Sequence, residues 1–301
     1  MNNYKYLLEK NGLKIDKLTI KGKATLIETP LGRFVIKPNK DEKIYSYLLS
    51  RGFDYFPKIV DMNSNYVLMK YIEDVDYPKE EKAKDFIKIL SLLHNKTSYF
   101  VITNNDEYKK IYEDVVDRIN YINKYYIDLI NNIESKEYPS PNEYLLLRNI
   151  SIILSAINFC QYKINEWYEN TKNNNKKRVC TIYNNIDINN LLRSKEYIYL
   201  LSLDNTKIDT PILDLYNFYK MYYDKYDFES LLKSYESFFP LLSEERNLLI
   251  VLICIPDRIE IDNSVYNAKK IKKSINRSYS LVEFLKSYET ERTETHQEKN
   301  N

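Results

Sequence analysis

The chain has 301 residues, with 45 Lys plus Arg against 43 Asp plus Glu and a net charge of +2. That balance gives no clustered basic footing for a nucleic-acid protein, and a hydrophobic share of 44% is enough for packed cores, which excludes wholesale disorder. No stretch has the ~18 consecutive apolar residues of a membrane span. Met1–Lys10 lacks the apolar run of a secretory leader, so synthesis in the cytoplasm is expected.

Taken in order, Tyr4–Asn11 reads as a short helix stopped by Gly12. Leu18–Ile20, Ala24–Thr29 and Phe34–Lys37 read as three strands, with a turn over Pro30–Arg33. Lys37 closes the last of them, which by itself suits a solvated lysine. Asp41–Arg51 has helical spacing at Ile44, Tyr47 and Leu48, and Gly52 ends it. Tyr66–Glu73 is a further strand, whose end at Lys70–Asp74 leaves the sheet. Pro78–His94 is an amphipathic helix with Ala83, Phe86, Ile87, Leu90 and Leu93 on its apolar face. His94, alone at that helix end, reads as a structural hydrogen-bonding residue. Glu107–Glu134 and Pro141–Asn170 are two long helices, followed by a polar loop over Thr171–Lys177. Leu215–Tyr226, Phe228–Phe239, Glu244–Cys254 and Val265–Lys273 complete a helical region, and residues 289–301 read as a disordered tail. Cys160, Cys180 and Cys254 are widely spaced and read as reduced thiols. With His94 and His296 the only histidines, a His-rich metal cluster is excluded.

The stretch Val179–Tyr216 organises the rest. It reads V-C-T-I-Y-N-N-I-D-I-N-N-L-L, a charged turn over Arg193–Glu196, then Y-I-Y-L-L-S-L-D-N-T-K-I-D-T-P-I-L-D-L-Y. Two apolar strand patterns flank one polar loop, and a second polar loop leads into a helix. This layout resembles the catalytic and metal-binding loops of the kinase-like fold, in its aminoglycoside phosphotransferase branch. There a loop H-G-D-x-x-x-x-N-I-L carries the base and one metal ligand, and a strand L-I-D-F/W-D/E carries the other. Without a gap, Asn190-Leu191-Leu192 sits on N-I-L, Tyr183-Asn184-Asn185 on H-G-D, and Leu201-Ser202-Leu203-Asp204 on I-D-F-D. Asn185 thus stands where the family has its catalytic aspartate, and Ser202 where it has a metal-binding aspartate.

Outside these loops the order of segments resembles the CotS-type spore-coat proteins, a kinase-like family of endospore formers. Gly52-Phe53-Asp54-Tyr55-Phe56-Pro57-Lys58-Ile59 matches G-F-x-Y-x-P-K-I, and Tyr66–Glu73 matches Y-V-L-M-x-Y/W-I-E. Leu90–His94 matches L-x-x-L-H, and Tyr235–Leu249 with Leu252–Ile259 resembles the C-terminal segments. The likeness spans about Lys17 to Lys273. Two departures are Lys70, in place of an acid often seen in the hinge, and Arg258-Ile259, which lacks the family's aromatic residue.

The resemblance implies a two-lobe α+β kinase-like fold, with an antiparallel sheet lobe over 12–74 and a helical lobe over 75–288. It also implies ATP and Mg²⁺ as cofactors wherever the site is retained. Lys37 would then hold the α- and β-phosphates, Glu42 would pair with Lys37, and Met69 and Tyr71 would border the adenine at the hinge. Asn190 and Asp204 would be the surviving metal ligands, and Asp214 the structural aspartate opening the next helix. A phosphoryl transfer needs a carboxylate to take the hydroxyl proton, which Asn185 cannot supply. It also needs charged oxygens on Mg²⁺, where Ser202 offers a neutral hydroxyl. Only four glycines, with Gly22 alone between the first two strands, speak the same way, because phosphate-cradling loops need glycine. The expected function is that of a pseudokinase working as a structural or assembly component of the spore coat. Its partners would be other coat proteins, and its 30 tyrosines suit aromatic contacts. The alternatives are an active phosphotransferase using Asp187 or Asp204, and a pseudokinase that keeps ATP as a structural ligand. Rescue by Asp204 looks remote if the segment is a strand, since a two-residue slip displaces the ligand by ~6.6 Å at ~3.3 Å per residue.

Overall fold

The computed structural model describes residues 4–195, 197–262 and 264–298, and leaves the side chains of Glu42 and 287–298 outside the described set. In chain order the elements are α1 Tyr4–Lys10, β1 Lys17–Lys21, β2 Ala24–Thr29, β3 Gly32–Pro38 and α2 Glu42–Ser50. β4 Ile59–Met62, β5 Tyr66–Lys70, α3 Lys79–Thr97, β6 Tyr99–Ile102 and α4 Asn105–Glu134 follow. Next come α5 Pro141–Arg148, α6 Ile150–Thr171, β7 Lys176–Ile182, β8 Leu191–Arg193, β9 Ile198–Leu200 and β10 Lys207–Asp209. The last helices are α7 Ile212–Tyr222, α8 Phe228–Glu236, α9 Ser243–Cys254 and α10 Val265–Glu298. Two single turns of 3-10 helix, Ile188–Asn190 and Leu203–Asn205, lie in the two loops singled out above.

The chain forms two compact units. The first holds Met1–Tyr99, Arg178–Phe218 and Ser230–Pro240. Its sheet has the order β1-β2-β3-β5-β4, antiparallel throughout. Strand alternation gives that sheet two faces. Ile27, Phe34, Ile36 and Leu68 point to one face and bury against Leu7, Leu8 and Leu13 from α1 and its exit, where Gly12 adopts φ 65°. Lys37 lies opposite Val67, and Val35 opposite Met69, so these four share the other face. α3 buries Phe86, which packs edge-on against Tyr183 at 5.9 Å and stacks on Phe218 at 6.0 Å.

The second unit holds Phe100–Lys177, Tyr219–Glu229 and Leu241–Asn301. α4 contributes Val115, Ile119, Ile122 and Tyr126 to its core, and α6 contributes Ile153, Ile157, Cys160, Ile164 and Trp167. Trp167 Nε1 donates to Glu244 O at 3.0 Å. Arg277, 4% exposed, donates to Asp257 and to Ile253 O, which satisfies its buried charge.

Several helix boundaries differ from the sequence expectation. The long helix expected over Pro141–Asn170 is two helices, α5 and α6, bent by 49°. Asn149 breaks it with φ −114° and ψ 8°, and its side chain donates to Leu145 O. α3 runs past His94 to Thr97, whose hydroxyl back-bonds to Leu93 O. The backbone of α10 stays helical to Glu298, through most of the stretch read as a tail. That stretch has no Gly or Pro to end a helix, and residues 299–301 lie outside the described residues. Among the described residues no single helix is long and apolar enough to cross a membrane.

Candidate functional site: two loops beneath the sheet

The loops are built from β7 downward. β7 pairs with β10, and β8 pairs with β9, Leu191 opposite Leu200. Closing the short β8–β9 hairpin brings its ends together, so that Leu201 N–H donates to Asn190 O at 2.8 Å. Asn190 and Ser202, twelve positions apart in the chain, are thus brought to the same end of the hairpin.

The foundation is buried and fully hydrogen-bonded. Asp214, 0% exposed, accepts from Tyr183 N–H at 2.5 Å and Asn184 N–H at 2.9 Å, which fixes the start of the first loop. His94 Nε2 lies 3.1 Å from the same carboxylate, and its Nδ1 lies 2.7 Å from the Tyr235 hydroxyl. With Nε2–H donating to the carboxylate, Nδ1 accepts from Tyr235. Tyr183, on the position of the family's histidine, donates its hydroxyl to Leu201 O at 2.7 Å and ties the loops together. Burial, with the nearby carboxylates of Asp214, Asp187 and Asp204, pushes the Tyr183 phenol far up.

The backbone is strained at two points only among the described non-glycine residues. Asn184 has φ 53° and Ser202 has φ 56°, both left-handed. At φ 53° Asn184 takes a conformation that glycine adopts freely and asparagine more readily than most residues. Asn184 Nδ2 donates to Asn205 O at 3.2 Å across the loops. Ser202 holds the left-handed turn that opens the 3-10 helix, and its side chain makes no capping bond. Strained residues of this kind cluster at functional sites.

The left-handed turn at Ser202 also overturns the strand assumption made for Asp204. Leu203–Asn205 is a 3-10 turn, rising ~2 Å per residue, so Asp204 is not carried away along an extended strand. Its charge acts on Lys37 and on Tyr45. Lys37, half-buried on the inner face of β3, has its pKa lowered by burial, with Asp204 opposing. Lys40 Nζ lies 3.4 Å from Asp204 Oδ2 and 3.0 Å from Asn205 Oδ1. The structure therefore pairs Lys40 with Asp204, and the charge of Asp204 reaches Lys37. Asn190 Nδ2 donates to Asn185 O at 3.3 Å within the first loop, and Asp187 Oδ1 caps the 3-10 turn through Asn189 N–H at 2.9 Å.

Other candidates are placed less favourably for a nucleotide. Met69 is 4% exposed on the same sheet face as Lys37. The N–H of Tyr71 donates to Arg33 O at 3.1 Å and that of Lys70 to Lys58 O at 2.9 Å, so neither is open to an adenine. The side chain of Glu42 lies outside the described residues. One turn further along α2, Tyr45 points inward at 2% exposure, packs on Phe56 at 5.3 Å, and has its pKa raised by burial and by Asp204. Sequence reasoning passed over Tyr45; its i+3 spacing from Glu42 and i−3 spacing from Leu48 is the signal that marks the inner face. The β1–β2 hairpin makes a tight two-residue turn at Gly22 and Lys23, with Lys21 opposite Ala24.

A divalent metal fits this donor set poorly. Asp204 is the carboxylate facing Lys37 and is already paired with Lys40, while Asn185, Asn190 and Ser202 are neutral. No group of three or more His, Cys, Asp or Glu side chains suited to a metal occurs among the described residues. The two lysines suit an anion better.

No protein-family model matches the sequence, and a search of curated proteins returns no relative. Solved structures do match. An aminoglycoside phosphotransferase from Alicyclobacillus acidocaldarius aligns over 92% of this chain and 92% of its own, with TM-score 0.64 and 10% identity. The fold is kinase-like. Choline kinase LicA from Streptococcus pneumoniae also aligns, over 94% of this chain and 99% of its own, with TM-score 0.46 and 16% identity. The α+β architecture, an antiparallel sheet lobe plus a helical part, is that of the aminoglycoside phosphotransferase kind.

Proposed function

We propose that the chain is a kinase-like protein that has lost phosphoryl transfer and acts by binding, as a structural or assembly component of the endospore coat. One observation carries the first half. Ser202 keeps a left-handed backbone at the metal-ligand position but brings a hydroxyl where a carboxylate is needed, and Asn185 brings an amide to the base position. The coat assignment is supported by the shared order of the segments from Gly52 to Ile259, and its expected partners are other coat proteins. Strongly exposed aromatics such as Tyr6, Tyr138, Tyr144, Tyr162 and Tyr266 suit such contacts.

A second reading has Asp204 serving as metal ligand and Asp187 as base in an active, ATP-dependent phosphotransferase. The observation in its favour is the 3-10 turn that keeps Asp204 at the loops, paired with Lys40 at 3.4 Å and with its charge felt at Lys37. Thermal shift with ATP, with and without Mg²⁺, separates the two. A ligand bound only to the folded chain adds about 2.7 kcal/mol at a hundredfold excess over Kd. The pseudokinase reading expects no shift, or one that ignores Mg²⁺. A Mg²⁺-dependent shift accompanied by ATP turnover in the wild type sinks it. Asn185→Asp combined with Ser202→Asp is expected to gain Mg²⁺ dependence without disturbing the fold. A tagged copy that stays out of the coat of sporulating cells would remove the coat assignment alone.

A further inference from the structure

Alongside α2 the first unit holds an open cavity of about 620 Å³. That size lies inside the ~300–1,000 Å³ span of small-molecule pockets. It shares no lining residue with the set Lys37, Asn190, Asp204, and touches their loop only through Thr206, whose hydroxyl donates to Leu203 O at 2.9 Å.

Its walls are apolar and aromatic: Ile44 and Tyr47 from α2, Tyr99 at the start of β6, and Ile208 from β10. Tyr99 and Ile208 are 43% and 47% exposed and present apolar surface to the cavity. Its rim is cationic. Lys43, Arg51 and Lys207 line it, against Asp41 alone, whose Oδ1 already caps Lys43 N–H at 2.9 Å. Lys207 is paired with Asp209 at 3.0 Å. Arg51 is held in place, its Nε donating to Lys96 O at 3.0 Å and its Nη2 to Ser98 O at 3.4 Å. That leaves Nη1 of a fixed, planar guanidinium to be matched. The last feature is independent of the rim. Thr181, 1% exposed, belongs to the lining, and its Oγ1 is buried without a hydrogen-bond partner. A buried hydroxyl left unmade is costly, and natural structures keep few of them.

We propose that this cavity is a binding site for a small aromatic carboxylate. The ring lies between Tyr47 and Tyr99, the carboxylate meets Arg51 and Lys43, and a polar atom of the ligand takes up the Thr181 hydroxyl. A planar carboxylate suits the remaining edge of Arg51 better than a phosphate, whose second charge is out of place against Ile44 and Ile208. The site stands whether or not the loops bind a nucleotide.

Calorimetric titration of the full chain with indole-3-acetate tests it, with indole-3-acetamide as the neutral isostere and phenyl phosphate as the competing anion. One saturable site is expected for indole-3-acetate. Binding of the amide is expected to be at least about tenfold weaker, the loss of one charge-assisted hydrogen bond. Lys43→Gln and Thr181→Val should each weaken binding several-fold. Thr181→Val should melt no lower than the wild type, since it deletes an unpartnered hydroxyl, so a lost affinity is not a lost fold. Ile208→Trp, at an exposed position, should block the site by filling it. The proposal is overturned by no saturation into the millimolar range, by equal affinity for the amide, by tighter binding of phenyl phosphate, or by affinity that none of the three variants changes.

Discussion

Two regions of the first unit lie a few residues apart and have fared differently. Beneath the loops, Asp214, His94 and Tyr235 form a buried chain in which every polar atom named above has its partner. On the loop surface, Asn185, Asn190 and Ser202 are neutral and half-buried, and Asp204 is tied to Lys40. The difference is one of what a substitution costs. Removing a buried, multiply bonded carboxylate leaves orphaned N–H groups in a low-dielectric place. Replacing a half-exposed catalytic carboxylate costs little stability and often raises it, because active sites trade stability for chemistry. A chain can therefore lose the second region's chemistry while the first holds the loops in shape.

The sharpest break of this comparison is Asp214→Ala. It should cost about 3–5 kcal/mol in urea denaturation, the penalty for breaking a buried charged network. A loss below about 1 kcal/mol would mean that the loops are anchored elsewhere. Asn185→Asp, by contrast, should move stability by no more than about 0.5 kcal/mol, the usual range for substitutions that break no buried contact. Tyr235→Phe comes next. It strips His94 Nδ1 of its donor and should cost about 1–3 kcal/mol, with no change in any ligand-induced shift.

Much of the fold was legible in the sequence, and the reason is periodicity. The alternation of Ala24–Thr29 and the apolar run Phe34–Lys37 after a turn marked the strands, whose register places Lys37 on the face opposite Phe34 and Ile36. Breaks made by single residues were harder to see. Asn149 splits α5 from α6, yet the apolar spacing runs on through Ile150, Ile153 and Ile157. β6 was missed because Tyr99-Phe100-Val101-Ile102 shows no alternation and directly follows a helix. In the site, the loop positions could be read off by spacing, but the path of the backbone between them could not. Nothing in Leu201-Ser202-Leu203-Asp204 announces a left-handed serine, because left-handed backbone is ordinarily signalled by Gly or Asn. The strand assumed there led to the estimate that Asp204 is out of reach, and the turn removes it. The engagement of the Tyr71 N–H by Arg33 O depends on sheet register beyond β5, which no local pattern encodes.

Ser202→Gly sharpens the comparison from the other side. If the left-handed turn is a retained feature of a site whose chemistry has gone, glycine should relieve the strain and stabilise the chain by up to about 1 kcal/mol. Ser202→Val should destabilise it by a similar amount. A destabilised Ser202→Gly would show that the serine hydroxyl has a structural bond of its own.

The smallest expected effect concerns pH. Burial lowers the Lys37 pKa below 10.5, against the pull of Asp204. Between that lowered value and 10.5 the unfolded chain binds more protons at this lysine than the folded one does. The contribution of Lys37 to stability therefore rises with pH across that window and is unfavourable below it. The buried phenols of Tyr45 and Tyr183, with pKa values raised above 10.0, act in the opposite sense at the alkaline end, so the wild-type profile alone is ambiguous. The difference between wild type and Lys37→Met isolates the lysine. The variant should melt higher than the wild type near pH 7, and its advantage should shrink as pH climbs through the window. A constant difference would mean that Lys37 is solvated like any strand-end lysine. A variant that melts lower near pH 7 would mean that Asp204 outweighs burial, and that the pair at the mouth of the loops is held together by its charges.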